Sequence, residues 1–130
     1  MIVVDTSALL NSLAPIRPNT LLDERLAEDG DLHVPHLVDV ELLHALRRLV
    51  RREELPLDRA DAALADFGLL RLTRYSHTPL MERIWQLRHV STAYDAAFIA
   101  LAELLDVPLV TSDRRLAASP GHVATIELFA

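Results

Sequence analysis

At 130 residues, 51% of them hydrophobic, the chain suits one domain, can bury about two thirds of its unfolded surface and is too apolar to be disordered. It has no cysteine, which excludes disulfides and thiolate metal sites and agrees with a reducing cytosol. The formal net charge of −6 argues against broad electrostatic binding of nucleic acid; no apolar run approaches the roughly 20 residues that cross a bilayer, and Met1–Asp5 lacks the basic start of a signal peptide.

The first predicted strand, Ile2–Val4, ends at Asp5-Thr6-Ser7, three good caps for a helix through Ala8–Leu13. Pro15 and Pro18 interrupt the chain, and Asn19 or Thr20 starts a second helix that stops at Gly30. Leu32–Val34 is a short strand closed by Pro35. A long helix then runs from Leu37 to Glu53, where Pro56 prevents its continuation. A further helix covers Arg59 to Phe67 and stops near Gly68, and Leu70–Thr73 forms a third strand. Pro79 suits the first turn of a helix reaching Arg88. After a turn over His89–Thr92 comes a helix over Ala93–Leu105, then a fourth strand over Pro108–Thr111, a short helix over Asp113–Ala118 and an edge strand over Val123–Ile126.

Strands alternating with helices at this spacing imply crossover units and a mostly parallel sheet covered on both faces. The expected fold is a single three-layer α/β/α domain spanning residues 1–130, without repeats, low-complexity tracts or linkers.

Four acids stand where a strand stops or a helix begins: Asp5, Glu41, Asp95 and Asp113. In an alternating α/β chain such positions converge at one sheet edge, where ligands usually bind. Four carboxylates gathered there repel one another unless protonated or bridged by cations, and hard divalent metals with oxygen ligands are the natural bridge. Each acid also has a plainer reading. Asp5 and Asp113 can be helix N-caps, and Asp95 completes a capping-box pattern with Thr92. Glu41 lies beside the apolar stripe of Val38, Leu42, Ala45, Leu46 and Leu49, with Leu37 and Ala45 four residues away on either side. No local salt bridge serves it, so it needs a partner from elsewhere or remains a solvated boundary residue. Ala96–Ala102 is unbroken apolar sequence, so the helix that Asp95 begins is buried all round and the carboxylate is partly desolvated. By contrast Asp23, Glu24, Glu28, Asp29 and Asp31, like Asp58, Asp61 and Asp66, read as solvated faces.

Ile2-Val3-Val4-Asp5-Thr6-Ser7-Ala8-Leu9, Val40-Glu41-Leu42, the run from Ser91 through Asp95 to Ala102, and Leu109-Val110-Thr111-Ser112-Asp113-Arg114-Arg115-Leu116 resemble the PIN domain, and more narrowly the VapC-type toxins of bacterial toxin–antitoxin pairs. The resemblance covers nearly the whole chain in order and spacing. Where many relatives have glycine before the fourth strand, this chain has Asp106-Val107-Pro108, and an aspartate can adopt the left-handed conformation that such a turn requires. The resemblance implies a helix-flanked sheet, Mg²⁺ or Mn²⁺ in an acidic pocket and cytoplasmic endoribonuclease activity. It also implies homodimerisation and inhibition by a small antitoxin whose flexible tail covers the active site.

On this reading Asp5 and Asp95 hold the principal metal, Asp113 completes its shell or binds a second ion, and Glu41 orients the attacking water. Thr6, Ser7, Thr111 and Ser112 are read chiefly as caps, with orientation of the carboxylates as their alternative role. Arg114 and Arg115 stand beside the site and could grip RNA phosphates or simply be solvated; Arg47, Arg48, Arg51 and Arg52 crowd the end of the long helix, where positive charge suits the helix dipole. Glu41-x-x-His44 matches half of a di-iron motif whose second copy is missing. A phospho-acceptor receiver domain is excluded because the chain has no lysine, and a haloacid-dehalogenase-like phosphatase because Asp5-Thr6-Ser7 lacks the second acid. The remaining alternative is a non-catalytic PIN-like RNA-binding or scaffold protein.

Overall fold

The computed structural model describes all residues 1–130. Five strands form one sheet in the order β3-β2-β1-β4-β5, where β1 is Ile2–Val4, β2 Leu32–Pro35, β3 Leu72–Tyr75, β4 Leu109–Thr111 and β5 Ile126–Leu128. All four pairings are parallel, with Val3 opposite both His33 and Leu109. Strands β1 and β4 are fully buried and apolar but for Thr111 at the end of β4, as a sheet covered on both faces demands.

Seven helices flank it: α1 (Thr6–Leu13), α2 (Thr20–Asp29), α3 (Leu37–Arg51), α4 (Leu57–Leu69), α5 (Met81–Gln86), α6 (Ala93–Leu105) and α7 (Arg114–Ala117). Helix α6 packs on β1, β2 and β4 with α5 against it, while α1 gathers α2, α3 and α4. Every residue from Ala96 to Ala102 is buried, so α6 is the core helix that its unbroken apolar run demands. It ends at Asp106, which takes the left-handed conformation (φ 53°) in place of glycine. No helix is long and apolar enough to cross a membrane.

Several boundaries differ from those expected. Gly68 lies inside α4, so the helix runs on to Leu69 and β3 starts two residues later than Leu70. Pairing with β2 fixes that start, setting Leu72 opposite Leu32 and Tyr75 opposite Pro35. The last strand likewise moves from Val123–Ile126 to Ile126–Leu128, because the three residues of β4 pair with those and leave Val123 exposed. Helix α3 stops at Arg51, before Glu53 turns left-handed (φ 57°), and Pro56 caps α4 instead of preceding it by a turn. The helix expected over Pro79–Arg88 is shorter, a 3₁₀ turn at Thr78–Leu80 leading into α5.

Going along the chain from β1, successive strands are laid on one side as β2 and β3, then on the other as β4 and β5. The direction of winding therefore changes between β1 and β4. In open parallel sheets the ligand crevice lies outside the carboxyl ends of the strands at such a switch point.

Candidate active site

Asp5 follows directly on β1, and Asp113 stands two residues beyond Thr111, the last residue of β4. The switch point thus places both at its mouth, where α3 contributes Glu41 and the first turn of α6 contributes Asp95. All four line one cavity of about 620 Å³, together with Thr6, Ser7, His44, Arg48 and Tyr94, over an apolar floor that includes Leu10, Leu37 and Phe98.

Asp5 is the most constrained of the set. It is 4% exposed, caps α1 through Ala8 N–H (2.9 Å to Oδ1), and accepts from Ser7 Oγ (2.8 Å to Oδ1) and Thr111 Oγ1 (2.5 Å to Oδ2). Burial nevertheless pushes its pKa above the ordinary value; the three donors oppose that shift, and the nearby Asp113 adds to it. Glu41 is half-buried, and the partner it lacks on its own helix comes from α1: Thr6 Oγ1 donates to Oε1 at 2.7 Å. Its pKa is raised by burial first and then by the charges of Asp95 and Asp5, with Thr6 opposing.

Asp95 settles its capping question by half. Thr92 Oγ1 accepts from Asp95 N–H at 3.2 Å, but the Asp95 carboxylate does not accept from Thr92 N–H in return. Its nearest cation is Arg115, 4.0 Å away, and burial followed by repulsion from Asp113 raises its pKa. Asp113 caps α7, with Oδ1 accepting from Arg115 N–H (2.8 Å) and Leu116 N–H (3.3 Å) while Oδ2 has no protein partner.

Three of the four hydroxyl residues read chiefly as caps serve the carboxylates instead. Thr6 holds Glu41, Ser7 and Thr111 hold Asp5, and the α1 cap is Asp5 itself. Ser112 N–H donates to Ser7 Oγ (3.0 Å), tying the two strand ends together, while Ser112 Oγ is buried without a partner. His44 and Arg48 are further lining residues, three and seven positions beyond Glu41 on one face of α3; that helical spacing was the available signal for them. Of the acids read as solvated, Asp29 differs: Met1's ammonium donates to it at 2.5 Å and Arg25 lies 3.6 Å away.

No three His, Asp or Glu side chains are gathered tightly enough to form a ready-made metal cage. The donor set is nonetheless all hard oxygen, and Asp5, Glu41 and Asp95 hold protons more tightly than usual because burial desolvates them and neighbouring carboxylates add to the shift.

The family model for the PIN domain matches residues 2–121. Ribonuclease VapC1 of Mycobacterium tuberculosis is 45% identical over 127 residues, 97% of this chain and 96% of that one. The chain belongs to the PIN-domain family. Solved structures bear out the PIN fold: the VapBC complex of Salmonella typhimurium, crystallised on DNA, superposes with a TM-score of 0.71 at 17% identity, covering 99% of this chain and 98% of that chain. VapC20 of M. tuberculosis, a sarcin–ricin loop cleaving toxin, gives a TM-score of 0.65 at 23% identity over 95% of this chain and 97% of its own.

Proposed function

We propose that this PIN-domain protein is a VapC-type toxin: a cytoplasmic, divalent-metal-dependent endoribonuclease that acts as a homodimer and is held in check by an antitoxin protein. The observation that carries the reading is the convergence of Asp5, Glu41, Asp95 and Asp113, from four separate segments, on one cavity at the switch point of the sheet. Identity of 45% to a ribonuclease over nearly the full length supports the same chemistry.

In this reading Asp5, Asp95 and Asp113 hold Mg²⁺ or Mn²⁺. When bound, the ion supplies Lewis acidity towards water and the phosphoryl oxygens. Asp5 is fixed by three donors and offers an anion of set direction. Glu41, held at Oε1 by Thr6, keeps Oε2 for orienting the attacking water, and its raised proton affinity suits it to take up a proton. Arg48, at the cavity wall, balances the negative charge of an entering phosphate. All four family acids are present, which speaks for catalysis over a purely RNA-binding role.

Digestion of a mixed RNA pool by the purified protein tests this. Cleavage with Mg²⁺ or Mn²⁺, abolished by EDTA and by Asp95→Asn with the circular dichroism spectrum unchanged, is the expected result. Equal cleavage by the variant, or bound metal with no cleavage of any RNA, would sink the proposal.

A further inference from the structure

Beside the acid cavity, with Asp95 as the shared wall, lies a second hollow of about 420 Å³. Its lining is basic and hydroxylic, from Arg88, Arg115, Ser91, Thr92 and Ser119, with Val90 the one hydrophobic contribution. Arg88 is exposed yet already positioned. Its guanidinium carbon lies 4.7 Å over the Trp85 ring centroid, and Nη1 donates to the Trp85 carbonyl at 2.9 Å. Arg115 is a free arm by comparison, its side chain 81% exposed and no closer than 4.0 Å to Asp95. Ser91 Oγ is buried without a partner, a polar group that an incoming acceptor oxygen would satisfy.

A chain of net charge −6 gains little from long-range attraction of a polyanion, and in the adjoining cavity Arg48 is the one arginine set against four carboxylates. Affinity for RNA then has to come from local cationic sites close to the chemistry. Two guanidinium forks and a set of hydroxyls match the oxygens of a phosphodiester. Because Asp95 lines both hollows, a strand with one phosphate at the acids has the next within reach of the arginines. We propose that this second hollow is a phosphate subsite, in which Arg88 and Arg115 grip the RNA backbone phosphate adjoining the scissile one. The inference rests on the ribonuclease reading for the identity of the strand.

Asp5 does not line the second hollow, so Asp5→Asn serves as the background in which binding is read without turnover. Labelled single-stranded RNA of random sequence is the probe, followed by fluorescence anisotropy across a salt series. Arg88→Gln and Arg115→Gln are each expected to weaken binding about fivefold to tenfold, and losing the phosphate contact lowers the salt slope by about 0.7. In the active chain Arg88→Gln raises KM more than it lowers kcat. Arg88→Lys keeps a cation over Trp85 and restores most of the binding, which separates charge from a packing effect. Arg115→Gln alters a side chain too exposed to matter for folding.

RNA binding unchanged by both glutamine variants overturns the inference; if the wild-type chain still cleaves RNA, the nuclease reading stands without it. Arginine-dependent binding in a wild-type chain that cleaves nothing supports the subsite and overturns the nuclease reading instead. Arginine-dependent binding of a glutamate-rich peptide, with RNA binding unaffected, assigns the hollow to an acidic protein segment and likewise overturns the proposal.

Discussion

Asp5 accepts three hydrogen bonds and still holds its proton more tightly than a solvated aspartate, so at this residue desolvation outweighs donation. Removing a donor makes the imbalance worse. Thr111→Val, which deletes the bond to Oδ2, is expected to weaken metal binding and cleavage by roughly 10–100-fold, as loss of an orienting partner typically does. Isothermal titration with Mn²⁺ and initial cleavage rates would check it, and unaltered affinity would mean that Thr111 serves only packing. Asp95 offers a cleaner test of its charge, since burial and Asp113 raise its pKa while Arg115 and the Thr92 hydroxyl oppose the rise without cancelling it. A raised pKa means that the folded chain binds more protons than the unfolded chain between the ordinary value of 3.8 and the raised one. The stability contributed by Asp95 therefore falls as pH rises through that window, and the loss is complete above it. Without added metal, Asp95→Asn should melt at a higher temperature than wild type at neutral pH, and that advantage should shrink as pH falls towards 3.8. A gap independent of pH would contradict the assignment.

Helix α6 shows how an element can be legible in full. Its apolar run from Ala96 to Ala102 touches every side, and four alanines let it lie close to β1, β2 and β4. Ala100→Leu is accordingly expected to cost about 1–3 kcal/mol through overpacking, measured by urea denaturation. A neutral result would mean that α6 has room to move. Strands β3 and β5 were legible as elements but not in their bounds. Leu69, Leu70 and Leu72 fit a helix end and a strand start equally well, and only pairing of Leu72 with Leu32 decides between them. The start of α3 at Leu37 was legible, but the group that serves its first N–H was not. His36 supplies no side-chain cap, and Leu37 N–H is met by His77 Nε2 at 3.0 Å from forty residues away in sequence. Contacts of that kind leave no local signature. The convergence of the four acids on one cavity was legible because each stands where a strand stops or a helix begins. The service of Thr6, Ser7 and Thr111 was not, because caps and carboxylate holders use the same residue types.

Across the whole molecule, topology turns scattered acids into one site. Reversal of the winding between β1 and β4 opens the crevice, and the four segments that end there carry an acid each. Concentrating carboxylates in this way costs stability that, on the proposed reading, a bound cation would return. Adding Mg²⁺ or Mn²⁺ at neutral pH should therefore raise the melting midpoint of the wild-type chain, by about 2.7 kcal/mol of stability at a hundred times the dissociation constant. Asp95→Asn should respond weakly or not at all.

The central claim is that these four carboxylates work as one catalytic unit. The most direct measurement is single-turnover cleavage of one susceptible RNA by Asp5→Asn, Glu41→Gln, Asp95→Asn, Asp113→Asn and the Asp5→Asn/Asp95→Asn double variant. Each single substitution is predicted to lower the rate on the order of a hundredfold or more, and the double variant to lose little beyond either of its parents, because residues acting together do not add. Near-normal cleavage by any of the single variants, or losses in the double that multiply, would contradict a shared site.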